Sequence, residues 1–329
     1  MKAILPVAGV GTRLRPLTHT TPKALVHVAG KPILGHILDA LIPLGIDEVV
    51  LIVGYLGEQV VEYVRSTYPL RVKFVEQPER KGLGHAIYLA KEQVPNDEPI
   101  LIVLGDTIFQ ADLAKVLAGR RSAIGVREVE DPTRFGVVEM DGGSIKKLVE
   151  KPAVTPSNLA IVGVYYLTSS QRLFASLQEV IDRDIKVKGE YQLTDALQIM
   201  IEQGEEMGVF KVDDWLDCGN PETLLLTNQV LLNKQNGHLQ PPNLPGCIVI
   251  PPVYIAPNAQ VDNSIIGPYA SIAEGADVRN SILRNSIVNR HAQVENVLLT
   301  DSIIGERAAD GGTYTVLNVG DSSDISIAR

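Results

Sequence analysis

MKAILPVAGVGTRLRPLTHTTPKAL, Met1–Leu25, decides how the rest of the chain is read. An apolar run, Ala3–Val7, stops at Ala8-Gly9-Val10-Gly11-Thr12-Arg13, and the cations Arg13, Arg15 and Lys23 follow closely. A strand that breaks into a glycine-bearing loop leaves backbone amides free to face phosphate oxygens. Gly9 and Gly11 let that backbone approach a ligand closely and adopt conformations closed to other residues. A helix N-terminus after such a loop strengthens the attraction for anions. The third glycine of a dinucleotide fingerprint is missing, and so is the Gly-Lys-Ser/Thr of a P-loop. The segment therefore predicts phosphate binding by a less common device.

Moving outward, short apolar runs alternate with amphipathic stretches up to about residue 235. Ala3–Val7, Glu48–Val53, Val72–Val75, Ile100–Leu104 and Ser122–Val126 read as strands, and Ile33–Leu44, Gly57–Thr67, His85–Glu92 and Leu113–Ala118 as helices. This alternation predicts an α/β, doubly wound, mostly parallel Rossmann-like sheet with its ligand crevice at the carboxyl ends of the strands. Both Ala8–Arg15 and Gly105–Asp106 fall at such ends.

The pattern changes at GHLQPPNLPG, residues 237–246. Beyond it an aliphatic residue returns every six positions, at Val249, Ile255 and Val261, then Ile266, Ile272 and Val278, then Val288 and Val294. Neither a helix nor an alternating strand has this period; a parallel β-helix of hexapeptide repeats does. Phase breaks at DNSII and RNSILRNSI limit it to three or four coils. The expected organisation is a catalytic domain over 1–236 and a short left-handed β-helix over 245–329.

With 329 residues, 45% hydrophobic and 21% charged, the chain has the composition of a globular protein of two domains. A net charge of −9 argues against general affinity for nucleic acid or anionic membrane, so positive charge for an anionic substrate must be local. Cys218 and Cys247, far apart in sequence, read as the free thiols of a reduced, cytoplasmic protein. The N-terminus reads as a buried strand and not a signal peptide, and no run of ~18 apolar residues predicts a membrane span.

G-x-G-T-R-L followed by P-K-A-L after a first strand resembles the signature of sugar-1-phosphate nucleotidylyltransferases. The resemblance extends in order over about 1–235, and is greatest to long-form glucose-1-phosphate thymidylyltransferases that carry a C-terminal left-handed β-helix. It implies that Arg13 contacts the departing pyrophosphate and that Lys23 neutralises phosphate charge in the transition state, with Asp106 as the third catalytic residue. Ala8, Gly9, Gly11 and Thr12 fall in its nucleotide loop. Such transfers need positioning and charge neutralisation more than covalent help. Asp106, in ILIVLGD, and Asp217, in DWLDCG, match motifs in which the family holds Mg2+. That ion takes one or two carboxylates together with substrate phosphates.

Base choice is expected in EQPERKGLGHA, residues 76–86. Gln77 can donate to and accept from a pyrimidine edge, while Gly82 lets the main chain pair with the same base. In the family this loop accompanies dTTP or UTP. His85 has no partner in view and reads as structural, because transfer to a phosphate needs no base. For the hexose 1-phosphate, Lys151 offers a charged donor and Glu150 an acceptor. The resemblance carries Gly136, Glu150 and Lys151 into the sugar site, with Glu190 and Thr194 nearby. Lys188 stands where some thymidylyl relatives have arginine, which keeps the charge and loses the planar fork.

These readings predict transfer of a nucleotidyl group from dTTP or UTP to glucose 1-phosphate, in a homo-oligomer assembled through the β-helix. A UTP-specific uridylyltransferase is the near alternative. A bifunctional N-acetylglucosamine-1-phosphate uridylyltransferase/acetyltransferase would need a catalytic histidine in the tail, where only His291 lies. A non-catalytic regulatory subunit would have lost residues such as Arg13, Lys23 or Asp106.

Overall fold

Ile4 and Leu5 are fully buried at the centre of the first sheet. They lie on β1 (Lys2–Pro6), and the chain then runs through α1 (Ile33–Leu41), β2 (Glu48–Val53), α2 (Gly57–Thr67), β3 (Arg71–Glu76), α3 (Leu83–Leu89) and β4 (Ile100–Val103). The strands β1, β2 and β4 are nearly continuous apolar runs, as expected of parallel strands covered on both faces. The computed structural model describes residues 1–46, 48–235 and 244–311. Its contacts divide the chain into two units, 1–228 and 229–329.

In the first unit, β1 pairs in parallel with β2 on one side and β4 on the other, and β2 pairs in parallel with β3. The chain thus winds outward from β1 to β3, then returns to the opposite side of β1. That reversal is a topological switch point, where loops part and leave a crevice. The loop after β1 and the Gly105–Asp106 turn after β4 both open there.

Beyond β4 come β5 (Thr107–Gln110), α4 (Leu113–Ala118), β6 (Ala123–Glu128), β7 (Gly136–Asp141), β8 (Ser144–Glu150) and β9 (Leu159–Leu167). Here the sheet turns antiparallel. β7 and β8 form a hairpin, and β9 runs antiparallel to β4, β6 and β7. α5 (Ser170–Asp182), capped by the Ser169 hydroxyl on Arg172 N, and α6 (Leu193–Glu202) bury Leu173, Leu177, Leu193 and Leu197 against this sheet. β10 (Gly208–Lys211) adds to β6 in parallel, and β11 (Asp214–Asp217) pairs with β5 before α7 (Pro221–Gln235). The expected helix Ile33–Leu44 closes at Leu41 as α-helix and continues as a 3-10 turn, Ile42–Leu44, around Pro43, which lacks the amide needed to continue.

The second unit is a left-handed parallel β-helix. Its strands form three four-stranded sheets, so the described residues contain four coils. Val249, Ile266 and Leu283 stack along one face, and Ile255, Ile272 and Val288 along the next. The phase breaks have a physical cause. At the corners Asn263, Asn280 and Asn285 take positive φ, which asparagine tolerates better than most residues. The serine that follows turns inward: Ser264 and Ser281 donate to Asp262 O and Arg279 O, and Ser281 N donates to the Ser264 hydroxyl. Each Asn-Ser pair closes a corner, so a coil is shorter than three full hexapeptides. The 236–243 part of the linker and 312–329 of the expected β-helix domain lie outside the described residues. Among the described residues no helix is long and apolar enough to cross a membrane.

Candidate active site

The loop after β1 folds back on itself. Gly11 has φ 66°, and a Cβ there would lie 3.0 Å from Lys23 Cβ and 3.1 Å from Thr18 Cγ2. The Thr18 hydroxyl donates to Gly11 O at 2.8 Å and fixes the fold-back. Lys23 is thereby carried beside the glycine loop and buried to 9% exposure. Its ammonium meets Asp106 Oδ2 at 2.7 Å. A buried ammonium needs such a partner, because desolvating an unpaired charge is expensive. Asp106 is delivered by Gly105, where a Cβ would stand only 2.5 Å from Val7 Cγ1 and 2.8 Å from Pro6 O. The β1 and β4 ends can therefore close on each other only with glycine at 105.

The second carboxylate arrives from a separate hairpin. Asp217 stands opposite Thr107 in the β5–β11 pair, and Cys218 N donates to Asp106 O at 3.3 Å. Gly219 follows. A Cβ on it would lie 2.8 Å from Asp217 Oδ1 and 2.9 Å from Arg13 Nη2, so this glycine leaves room for both charges. Asp106, Lys23, Arg13 and Asp217 are thus gathered around the switch point. Burial pushes the Cys218 thiol up to about 12, so it stays protonated and structural. Trp215 packs edge-on against Phe135 at 4.7 Å as a wall of this hairpin. The two aspartates are hard oxygen donors, and among the described residues no cluster of three His, Cys, Asp or Glu is poised to hold a metal. That donor set suits Mg2+, which completes its shell with phosphate oxygens and water.

The opposite wall follows β3. Gln77 N donates to Val53 O at 2.8 Å, and its side-chain amide reaches Gly82 O at 3.3 Å. Gly82 has φ 105°, and a Cβ there would strike Tyr191 O at 2.5 Å. Two main-chain bonds strap this loop to the 190–192 segment: Tyr191 N to Lys81 O at 2.8 Å and Gly84 N to Tyr191 O at 2.9 Å. The walls enclose a cleft of about 540 Å³. Ala8, Gly9, Gly11, Thr12, Arg13 and Lys23 line one side, and Gln77, Gly82 and Glu190 the other. His85 has a buried Nδ1 without a hydrogen-bond partner among the described residues, and burial lowers its pKa.

Most of the residues expected at the sugar gather in a second cluster. Thr194 Oγ1 donates to Glu150 Oε2 at 2.8 Å, and Lys151 Nζ lies 3.1 Å from Glu150 Oε1. A Cβ at Gly136 would be 3.1 Å from Glu150 Oε2 and 3.3 Å from Thr194 Oγ1, so glycine keeps the pair accessible. Asp195, beside them in sequence, carries a buried Oδ2 with no hydrogen-bond partner. Burial and then the Glu150 charge raise its pKa. Lys188 stands exposed at the tip of a tight turn closed by Val187 and Glu190, with φ 53°. Glu190, grouped with the hexose residues by sequence, lines the first cleft beside Gly82.

Arg80, Leu83, Leu104 and Gly219 also line this cleft and were not singled out from the sequence, and Gly105 was noted only for its place at a strand end. The two glycines sit directly before Asp106 and two residues after Asp217, and that adjacency was the available signal. Arg80 had none.

The Nucleotidyl transferase family model matches residues 2–234. The chain belongs to this family. It is similar to the bifunctional protein GlmU of Methanocaldococcus jannaschii, 34% identical over 97% of this chain and 81% of that protein. A glucose-1-phosphate thymidylyltransferase of Streptomyces griseus is 31% identical over 93% of this chain and 92% of its own length. Among solved structures, UDP-glucose pyrophosphorylase complexed with UDP-glucose superimposes with a TM-score of 0.60 at 27% identity, over 71% of this chain and 98% of that one. This nucleotidyl transferase is a sugar-1-phosphate nucleotidylyltransferase.

Proposed function

We propose that this nucleotidyl transferase joins a pyrimidine nucleoside triphosphate, dTTP or UTP, to glucose 1-phosphate and releases pyrophosphate. The observation that carries the reading is the Lys23–Asp106 pair, set against the Gly9–Arg13 loop in the same cleft as Gln77 and Gly82. One end of that cleft offers charge for phosphates, and the other offers an amide and a bare backbone for a base edge. Relatives named for thymidylyl transfer and for UDP-glucose support the pyrimidine.

In the proposed reaction the amides of 9–13 and Arg13 hold the β- and γ-phosphates. Lys151 steers the sugar phosphate, and Glu150 with Thr194 holds its hydroxyls. A phosphate oxygen of the sugar attacks the α-phosphorus. The bond to the bridging oxygen breaks, and its electron pair leaves with pyrophosphate, whose charge Arg13 and Lys23 balance. The attacking monoester is already ionised at neutral pH, so no general base is required. Asp106 and Asp217 would hold Mg2+, which supplies further neutralisation at the phosphate oxygens.

Pyrophosphate release with Mg2+ and glucose 1-phosphate, compared across dTTP, UTP, GTP, ATP and CTP, tests this. Release with dTTP or UTP and none with the purines is expected. Release with GTP or ATP would overturn the assignment of Gln77 and Gly82.

The β-helix is proposed to assemble copies of the chain. In support, Ile248, Ile265, Ile282 and Leu298 stand in register along one outer face, with Ile248 59% and Leu298 72% exposed. Sedimentation of an Ile282→Asp/Leu298→Asp variant should show a smaller species than the wild type. An unchanged mass would exclude this face.

A further inference from the structure

Arg80 lines the nucleotide cleft, yet its guanidinium has no ion pair or hydrogen bond among the described residues. Its neighbours Glu79 and Lys81 pair with each other at 2.5 Å, so the loop's remaining free charge is the Arg80 guanidinium. Leu83 and Ala86 add apolar surface to the lining of the same cleft. Arg80 lies midway between Gln77 and Gly82, the two residues assigned to the base edge.

Strand order separates the two ends of the cleft. The loop bearing Arg80 connects β3 to α3, and β3 is two positions from β1 and three from β4. At ~4.8 Å per strand these offsets are roughly 10 and 14 Å. Arg80 therefore belongs to the end away from Lys23 and Asp106, where a bound nucleotide presents its base and not its phosphates. A base whose edge meets Gln77 and Gly82 would find apolar surface from Leu83 and Ala86 in the same lining, and Arg80 is the cation that this lining offers to the remaining face.

We infer that Arg80 closes on that remaining face and clamps the pyrimidine by planar guanidinium stacking. The inference rests on the proposed placement of the base. A guanidinium is flat and weakly hydrated, and stacks on aromatic faces in a way that a lysine ammonium does not. Because stacking reads the face and not the edge, Arg80 strengthens binding of dTTP and UTP alike and leaves discrimination to the edge contacts. Arg80 is thus an affinity residue for the base, separate in role from Arg13.

Calorimetric titration of the full-length protein with UTP, dTTP and inorganic tripolyphosphate tests it, with wild type, Arg80→Ala and Arg80→Lys in parallel. The side chain is exposed in a loop, so both variants should keep the native fold. Arg80→Ala should weaken both nucleotides by a common factor of roughly 3- to 30-fold and leave tripolyphosphate unchanged. Arg80→Lys should remain as weak as the alanine variant. Unchanged nucleotide binding in Arg80→Ala, rescue by lysine, or an equal loss for tripolyphosphate would each overturn the clamp; the last two would make Arg80 a phosphate contact. A wild type that binds neither nucleotide would refute the pyrimidine reading itself, which separates that failure from failure of the clamp.

Discussion

The two units place their unusual backbone conformations in opposite settings. In the first, Gly11 and Gly82 adopt positive φ, and Gly105 and Gly219 also stand where a Cβ would strike a neighbour, so that Lys23, Asp106, Arg13 and Asp217 can converge. In the second, Asn263 and Asn280 take the same left-handed corner in successive coils, Asn285 takes another, and the serines after them satisfy the corner carbonyls. The coil repeats one local solution until a core is filled. The cleft uses each irregularity once, and each one clears space for a charge or a substrate. Repetition stabilises; its interruption at a strand end makes room for chemistry.

The sharpest way to break this comparison is at the ion pair. Lys23→Ala should lower turnover about 10²–10³-fold, as loss of a preorganised charge does, while thermal unfolding of the first unit moves little by comparison. A variant that kept more than a tenth of wild-type turnover would remove Lys23 from the mechanism. The opposite result is expected in the coil. Ile272, fully buried, should cost about 2–5 kcal/mol on change to alanine, read by denaturant unfolding of the second unit, with turnover per folded molecule within about twofold. Gly82→Ala lies between them. Its positive φ and the 2.5 Å approach to Tyr191 O should cost on the order of 1–3 kcal/mol and raise the nucleotide KM, and steady-state kinetics with dTTP would show whether the base loop has moved.

The smallest effect concerns Asp195. Its pKa in the folded state is raised by burial and by Glu150. The folded protein therefore holds this proton at pH values where the unfolded chain has released it. The group then disfavours folding above its folded pKa, and the penalty fades as pH falls toward the unfolded value of ~3.9. Asp195→Asn should unfold at a higher temperature than wild type at pH 7, with the gap closing near pH 4. A gap that persists there would mean that packing, and not ionisation, sets the difference.

The glycine-and-cation wall of the cleft was legible because its residues lie close together in the sequence. Gly9, Gly11, Arg13 and Lys23 fall within one loop, and the strand before it is unbroken by polar residues. The aliphatic period of six announced the coil, and even its phase breaks corresponded to real corners. The antiparallel half of the sheet was not legible, since alternation of runs does not give strand direction and β9 finds its partners β4, β6 and β7 across long stretches of chain. Arg80 was hidden for a related reason. A surface arginine in a charged loop looks solvated until strand order reveals which end of a cleft it borders. Glu190, expected near the sugar, is set beside Gly82 by the strap through Tyr191, a neighbour that sequence order alone did not reveal.

That strap has an evolutionary consequence. Lys81, Gly84 and Tyr191 are joined through main-chain atoms, so among substitutions only proline, which lacks the donor amide, removes one of these bonds directly. The 190–192 segment runs directly into Thr194 and its bond to Glu150, while the 77–82 loop carries Gln77 and Gly82, the residues proposed to meet the base. A mutation that reshapes the Glu150–Thr194 cluster through this segment will also displace the 77–82 loop. Substrate preferences for sugar and nucleotide should therefore show strong epistasis, and new pairings should arise by paired changes on both sides of the strap.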